Sequence, residues 1–245
     1  LLAVAAPVAL TSPLHAQRTI GEDCVFEEGS ESFRQRVFRE SVQIYIVKGK
    51  IRCADGVVLR GDTINYRANL GRVDLVGNVF YADSTREMTA VAATYYRDNR
   101  QLVANGDTAT DVVVTNTADG ARISGINLIY YQAGGGRVED EVTVFGSHGD
   151  QRPRALVPPP TRDEAPAVTP EPAELDREID AEDRPAPATD ASPSPLDVTA
   201  DRIILKGENY FEALGRVESF RDSVTTSSDT LIYDQVSSNL DLRGN

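Results

Sequence analysis

One spacing recurs through this chain and limits the folds open to it. An aspartate is followed by a tyrosine eleven or twelve residues later, and then by a glycine eleven residues further on. The copies are Asp55, Tyr66 and Gly77; Asp83, Tyr95 and Gly106; Asp119 and Tyr130, with Glu141 in place of glycine; and Asp222, Tyr233 and Gly244. A period of about 29 to 35 residues is typical of stacked repeats, in which each unit buries its apolar face only against its neighbours.

The residues between these markers alternate with a period of two. In "RVDLVGNVFY" the apolar side chains are Val73, Leu75, Val79 and Tyr81, with polar residues between them. This pattern predicts half-buried β-strands. Eleven of the 13 prolines lie between residues 151 and 195, and the other two lie near the N-terminus. The strand regions therefore contain no residue that would interrupt a hydrogen-bond ladder.

Each repeat thus predicts a β-hairpin with defined roles for its markers. The aspartate suits the turn that begins a strand. The tyrosine places an amphipathic ring at the strand end, with its hydroxyl toward the rim. The glycine marks a bulge where a strand leaves one sheet for another. A helix or turn is predicted only within residues 31 to 42, before a strand at "QIYIV".

The chain divides into four regions. Residues 1–16 have the apolar run and the small Ala16 of a secretory signal peptide, truncated at its start, although a buried strand or helix is an alternative. Residues 17–150 contain the first repeats. Residues 151–195 are rich in proline and acidic residues and lack aromatics, which predicts a disordered linker. Residues 196–245 contain further repeats. The linker either separates two blocks or is an insertion in one sheet.

The net charge and the cysteine content limit the ligands and crosslinks that we expect for this chain. The net charge of −13 argues against nucleic acid, whose phosphates require clustered Lys and Arg. Export to an oxidising compartment would allow Cys24 and Cys53 to form a disulfide, with two free thiols as the alternative. A metal site is not expected from so few candidate ligands.

The sequence offers no catalytic constellation. Beyond the predicted signal peptide, His148 is the single histidine, and it lies in the glycine-containing stretch "FGSHGDQ". No HExxH, CxxC or P-loop motif occurs, and "AGGGRVEDE" lacks the lysine of a phosphate cradle. We therefore expect neither enzymatic activity nor a cofactor.

The stretch "ADGVVLRGDTINYRANLGRVDLVGNVFYADS" resembles the OstA-like domain of lipopolysaccharide-transport proteins (LptA, LptC and the periplasmic part of LptD). The shared pattern is an "AD", a tyrosine near the end of the next strand, and a following "G-N/D-V", met at Gly77-Asn78-Val79. The resemblance covers about residues 40–146 and resumes at Leu196. It implies a twisted, open β-jellyroll, periplasmic or associated with the outer membrane, whose groove shelters lipopolysaccharide acyl chains. It also implies edge-to-edge pairing with other Lpt-type proteins or head-to-tail homo-oligomers.

The alternating apolar residues provide candidates for the lining of such a groove. They are Val57, Leu59, Ile64, Tyr66, Val73, Leu75, Val79, Tyr81, Leu102, Val112, Val114, Ile126, Leu128 and Tyr130. At each position a closed core without ligand is the alternative to lipid contact.

Three functions fit the sequence. The first is a lipid carrier, as a stand-alone LptA-like bridge or the N-terminal part of an LptD-like protein. The second is a β-solenoid stalk or adhesin that binds no lipid. The third is a β-helical enzyme acting on polysaccharide, which would need a surface cluster of carboxylates.

Overall fold

The computed structural model describes residues 19–20, 24–27, 32–38, 41–159, 194–237 and 239–244. The predicted signal peptide and residues 160–193 of the predicted linker lie outside them. The strands, in chain order, are β1 (Thr19–Ile20), β2 (Cys24–Glu27), β3 (Ser32–Phe38), β4 (Ser41–Cys53), β5 (Val58–Arg67), β6 (Arg72–Ala82), β7 (Arg86–Tyr96), β8 (Gln101–Asn105), β9 (Val112–Asn116), β10 (Arg122–Gly125), β11 (Asn127–Tyr131), β12 (Glu141–Phe145), β13 (Arg154–Val157), β14 (Leu196–Thr199), β15 (Arg202–Lys206), β16 (Tyr210–Arg221), β17 (Val224–Asp234) and β18 (Asn239–Arg243). A 3-10 turn, Ala68–Leu70, connects β5 to β6.

The strands form one continuous antiparallel sheet that folds back on itself. The long strand β7 shows how this happens, because its first half pairs with β9 and its second half pairs with β8. Two series of paired strands therefore lead away from β7, one from each half of the strand. Both series end on β16, whose first half pairs with β15 and whose second half pairs with β14. Two half-sheets therefore face each other and are joined through the long strands.

We call these half-sheets A and B. Half-sheet A contains β1, β2, β9, β10, β13, β14 and the long-strand segments 49–53, 58–60, 79–82, 86–90, 217–221 and 224–228. Half-sheet B contains β3, β8, β11, β12, β15, β18 and the segments 41–47, 63–67, 72–76, 92–96, 210–214 and 230–234. The line along which A and B join is the bend. The opposite side, where the turns of A and B meet, is the mouth.

β-bulges mark the bend. The register between β6 and β7 shifts between Val76 and Val79, and that between β16 and β17 shifts between Leu214 and Val217. At the first bulge Gly77 has φ +75° and Asn78 +46°; at the second Gly215 has φ +78°. Such left-handed backbone is open to glycine without steric penalty, which explains why glycine recurs where a strand changes half-sheet.

The repeat can now be mapped onto the fold. Asp55 lies in a mouth turn of half-sheet A. The chain then crosses the bend along β5, and Tyr66 lies near the end of that strand, at the mouth of half-sheet B. One further strand, β6, returns to the bend at Gly77. In the third copy the turn before β12 is longer, so position 141 is only at the start of that strand. Glu141 therefore replaces glycine because the chain has not yet reached the bend.

The inner faces of A and B pack on each other to form one apolar core. Strands on both sides alternate buried and partly exposed residues, as in β9 and β11. The all-β jellyroll of repeated hairpins that the sequence predicts is therefore confirmed.

Two sequence expectations need correction. The helix or turn expected within residues 31–42 is the strand β3, paired with β4. Arg154–Val157, placed in the disordered linker, form β13, which pairs with β10 and β14. Ala155 and Val157 are buried, so this short apolar alternation is sufficient to complete the sheet. Because β13 and β14 are direct neighbours, residues 158–195 are an insertion within one sheet.

Candidate functional site

The space between half-sheets A and B contains the residues predicted to line a groove. Every one of them except Ile126 is buried and points inward: Val57, Leu59, Ile64, Tyr66, Val73, Leu75, Val79, Tyr81, Leu102, Val112, Val114, Leu128 and Tyr130. Ile126 is half-buried at the bend between β10 and β11. The two inner faces touch directly, so the structure shows a closed interior. Contact between these residues and lipid stays a prediction.

Inner-face residues of the C-terminal strands were missing from the predicted set. They include Val198, Ile203, Leu205, Phe211, Ala213, Leu231 and Tyr233, all buried. The alternation in "RIILK" and "YFEAL" carries the same period-two signal as the earlier repeats. The interior thus continues past the inserted segment and into the last strands.

Tyrosines line the inner side of the mouth. Tyr66, Tyr95, Tyr130 and Tyr233 end strands of half-sheet B, and Tyr81 faces them from half-sheet A. The ring of Tyr81 lies 6.0 Å from Tyr95 and 5.7 Å from Tyr130 between centroids. These separations and tilts suit favourable aromatic pairs.

Asp83 links two of these tyrosines across the mouth. Its carboxylate accepts hydrogen bonds from the hydroxyls of Tyr81 (2.8 Å) and Tyr130 (2.6 Å). It also accepts from the backbone N–H groups of Thr85 and Arg86, at 2.9 Å each. Burial, reinforced by the negative charge of Asp83, raises the pKa of Tyr81 and of Tyr130. Both hydroxyls therefore remain donors.

A buried arginine lies beside this cluster. The side chain of Arg86 in half-sheet A is 1% exposed, and its Nε donates to Asp140 Oδ2 at 3.0 Å. Its Nη2 donates to the carbonyl of Gly207. Asp140 and Gly207 belong to mouth turns of half-sheet B, so this guanidinium connects A to B. No motif indicates these contacts, because the partners lie 54 and 121 residues from Arg86 in a chain with 38 acidic residues.

Two more contacts cross the mouth. Arg100 of half-sheet B lies 3.8 Å from Asp55 of half-sheet A, between nitrogen and oxygen. Gln235 of half-sheet B donates to Asp119 of half-sheet A at 3.3 Å. The mouth is therefore polar along its length, whereas the interior behind it is apolar.

The two ends of the interior differ. At the N-terminal end, Phe26 on β2 and Phe33 on β3 contact each other across A and B, with ring centroids 6.0 Å apart. At the C-terminal end, Leu240 and Leu242 on β18 pair with Tyr233 and Leu231 and share their inner face, yet they are 46% and 39% exposed. Within the described residues, these two inner-face side chains are therefore less covered than their partners on β17.

Cys24 and Cys53 form a disulfide in the structure. They are directly opposite each other on β2 and β4, and both point into the interior. The disulfide therefore crosslinks β2 to β4 at the N-terminal edge of half-sheet A.

The described residues hold no group of three or more His, Cys, Asp or Glu side chains that could bind a metal ion. His148 lies in a turn that leads to β13. In the part of the chain that the structure describes, no helix has the length and apolarity to cross a membrane.

These features define a class of protein: an all-β jellyroll with an apolar interior, a bend on one side and a polar mouth on the other. No protein-family model matches the chain, and no curated protein matches it. Among solved structures, the chain is similar to LptH of Pseudomonas aeruginosa, described as the LptA-homologous periplasmic component of the lipopolysaccharide transport device. The identity is 9%, the match covers 77% of this chain and 82% of LptH, and the TM-score is 0.30.

Proposed function

We propose that this protein is a non-enzymatic periplasmic carrier that shelters the acyl chains of lipopolysaccharide between half-sheets A and B and passes them to neighbouring proteins toward the outer membrane. One observation carries the proposal. The two apolar inner faces are joined by backbone hydrogen bonds along the bend, whereas side-chain contacts alone connect them across the mouth within the described residues. The half-sheets can therefore part at the mouth without breaking a ladder.

The chemistry of the surfaces agrees with this cargo. Acyl chains gain about 0.8 kcal/mol for each CH₂ group that leaves water, and an apolar interior of paired sheets supplies the required surface. The sugars and phosphates would stay outside, beside the polar turns of the mouth. The OstA-like sequence pattern around Tyr66 and Gly77 supports the same cargo.

The edges of the sheet supply a means of passing lipid on. Within the described residues, β3 pairs only with β4, and β18 pairs only with β17. Unpaired strand edges can accept a strand from another protein. The exposed Leu240 and Leu242 would then continue the apolar interior into a neighbouring Lpt-type jellyroll or a second copy of this chain. This arrangement would serve a stand-alone bridge and the N-terminal part of an LptD-like protein equally.

The test compares two adjacent tyrosines on β7. Tyr95 points inward and is 1% exposed, whereas Tyr96 is on the outer face of the same strand. A photoreactive phenylalanine derivative at Tyr95 should crosslink to lipopolysaccharide in a lipopolysaccharide-producing host. The same derivative at Tyr96 should not.

A β-solenoid stalk that binds no lipid is the second candidate, and the closed packing of the inner faces favours it. Folded protein with no adduct at Tyr95 would move the assignment to the stalk. Equal adducts at Tyr95 and Tyr96 would indicate surface association and would also contradict the carrier.

A further inference from the structure

The contacts across the mouth differ in kind from the rest of the interface between A and B. Elsewhere the inner faces meet through apolar side chains. At the mouth they meet through ion pairs and hydrogen bonds from Asp55 to Arg100, from Arg86 to Asp140 and Gly207, and from Gln235 to Asp119. Each contact joins a residue at or beside a mouth turn of A to one at a mouth turn of B.

Arg86 is an unusual residue to find at such a position. It occupies an inner-face site on β7, in line with the buried Met88 and Ala90. A guanidinium loses its hydration when it is buried, and replacing a whole buried ion pair by apolar residues of similar volume is often neutral or stabilising. Its Nη1 has no hydrogen-bond partner among the described residues. The closed position is therefore one in which this cation is incompletely satisfied.

Opening the mouth would restore the hydration that Arg86 loses when it is buried. Water would solvate Arg86 and Asp140 once they separate, whereas an apolar seam would gain nothing from contact with water. A polar seam can therefore open and close with a smaller free-energy difference than an apolar one. The backbone beside Arg86 and Asp140 need not change, because the first half of β7 is paired within A and β12 is paired within B.

We propose that these residues form a latch, centred on Arg86, Asp140 and Gly207, which must open for acyl chains to enter or leave between A and B. The inference rests on the proposed lipid-carrier function. The latch sets the rate of lipid exchange, while the apolar interior sets the affinity.

The first test measures opening without lipid. Val142, on the inner face of β12 two residues from Asp140, is fully buried. Val142→Cys adds a single free thiol to a chain whose two other cysteines are joined. In that background, Arg86→Met should raise the rate of maleimide labelling of the introduced thiol by about tenfold, because the buried carboxylate of Asp140 loses its charged partner in the closed position.

A matched control and a second variant accompany this test. Arg154→Gln removes another Arg–Asp pair, with Asp197, that lies on the outer face within half-sheet A. It should leave the labelling rate unchanged. Asp140→Asn should raise the rate as Arg86→Met does, and it supplies the result if Arg86→Met does not fold.

The second test closes the mouth permanently. Asp119→Cys combined with Gln235→Cys, joined by a short bis-maleimide, ties A to B. The tethered protein should capture fluorescent lipopolysaccharide at least about tenfold more slowly than the same variant capped with N-ethylmaleimide, because the closed interior excludes ligand.

The outcomes separate the latch from the carrier function. Unchanged labelling in both Arg86→Met and Asp140→Asn would overturn the latch, and so would tethered protein that captures lipid at the rate of capped protein. Wild-type protein that captures no lipopolysaccharide would refute the carrier. The labelling rates would then decide the latch alone, because they require no lipid.

Discussion

At the scale of single residues, the glycines of the bend are constrained by a carboxylate as well as by backbone conformation. A Cβ at Gly77 would lie 2.5 Å from Asp62 Oδ2 and 3.0 Å from Asp62 Cβ. The same arrangement recurs where Gly215 meets Asp201, at 2.6 Å from Oδ2. Asp62 is also held by Asn78, which donates to it at 2.7 Å. The bend thus has its own repeated motif, an aspartate beside a left-handed glycine.

We predict that Gly77→Ala lowers the free energy of unfolding by about 2–3 kcal/mol, through left-handed strain plus the clash with Asp62. Gly120→Ala is the matched control, because Gly120 has the same φ of +75° but nothing within 4 Å of the added Cβ. It should cost only about 1 kcal/mol. Urea denaturation measures both. Equal losses would show that Asp62 yields freely and that strain alone selects the glycine.

The tyrosines of the mouth should differ in their contributions. Tyr130→Phe removes a buried hydrogen bond to Asp83 and leaves that carboxylate with one donor fewer, so it should cost about 1–3 kcal/mol of unfolding free energy. Tyr95 is equally buried, but its hydroxyl has no partner among the described residues. Tyr95→Phe should therefore be neutral or slightly stabilising. A large loss from Tyr95→Phe would reveal a hydrogen bond from Tyr95 to bound water.

At the scale of elements, the sequence predicted strands far better than it predicted their partners. Alternation identified inner-face residues in β5, β6, β8, β9 and β11, because each of these strands has one buried side. The buried residues of β7, β10 and β12, such as Met88, Ile123 and Val142, were absent from the predicted set. In β3, Phe33 and Val37 lie four residues apart, a spacing that fits a helical turn as well as a strand. The strand lies at the edge with few buried neighbours, and Val37 is 65% exposed, so the period-two signal is weak there.

β13 was missed for a different reason. Its four residues lie between Pro153 and Pro158, and composition averaged over the surrounding region is that of a linker. A strand this short forms because its neighbours β10 and β14 contribute the hydrogen bonds.

The clustering of Arg86, Asp140 and Gly207 was unpredictable for a related cause. Such contacts depend on how the whole sheet folds over.

The disulfide should matter mainly to the N-terminal edge. Cys24→Ala combined with Cys53→Ala removes a crosslink spanning 29 residues, which corresponds to about 3.6 kcal/mol in the chain-entropy model. Because β2 pairs only with β1 and β4 among the described strands, we expect this edge to loosen before the core does. Limited proteolysis should then cut before residue 41 while the remainder stays folded. Cleavage in β9 or β11 at the same rate would contradict this view.

At the scale of the whole molecule, the jellyroll combines a fixed side with a releasable side. The bend is held by backbone ladders and bulges, whereas the mouth is held by side chains. The sequence predicted the apolar interior through its alternation. It could not predict that the interior is closed at the mouth, because closure depends on residues from turns far apart in the chain.

The buried tyrosines also make the stability of the whole fold sensitive to alkali. Burial raises the pKa of Tyr81, Tyr95 and Tyr130 from the ordinary value of 10.0. The folded state keeps these protons at a pH where the unfolded chain has released them. Their contribution to stability is therefore complete below pH 10 and is lost as the pH rises above it.

We predict that above pH 10 the free energy of unfolding falls by about 1.4 kcal/mol per pH unit for each of these tyrosines. Urea titrations between about pH 9 and 11.5 measure the slope. Tyr95→Phe removes one contributor without breaking a hydrogen bond, so it should flatten the slope by one proton, while Tyr96→Phe on the outer face controls for the loss of a tyrosine. An unchanged slope in Tyr95→Phe would mean that water reaches the mouth in the folded state, and that the latch is already open at high pH.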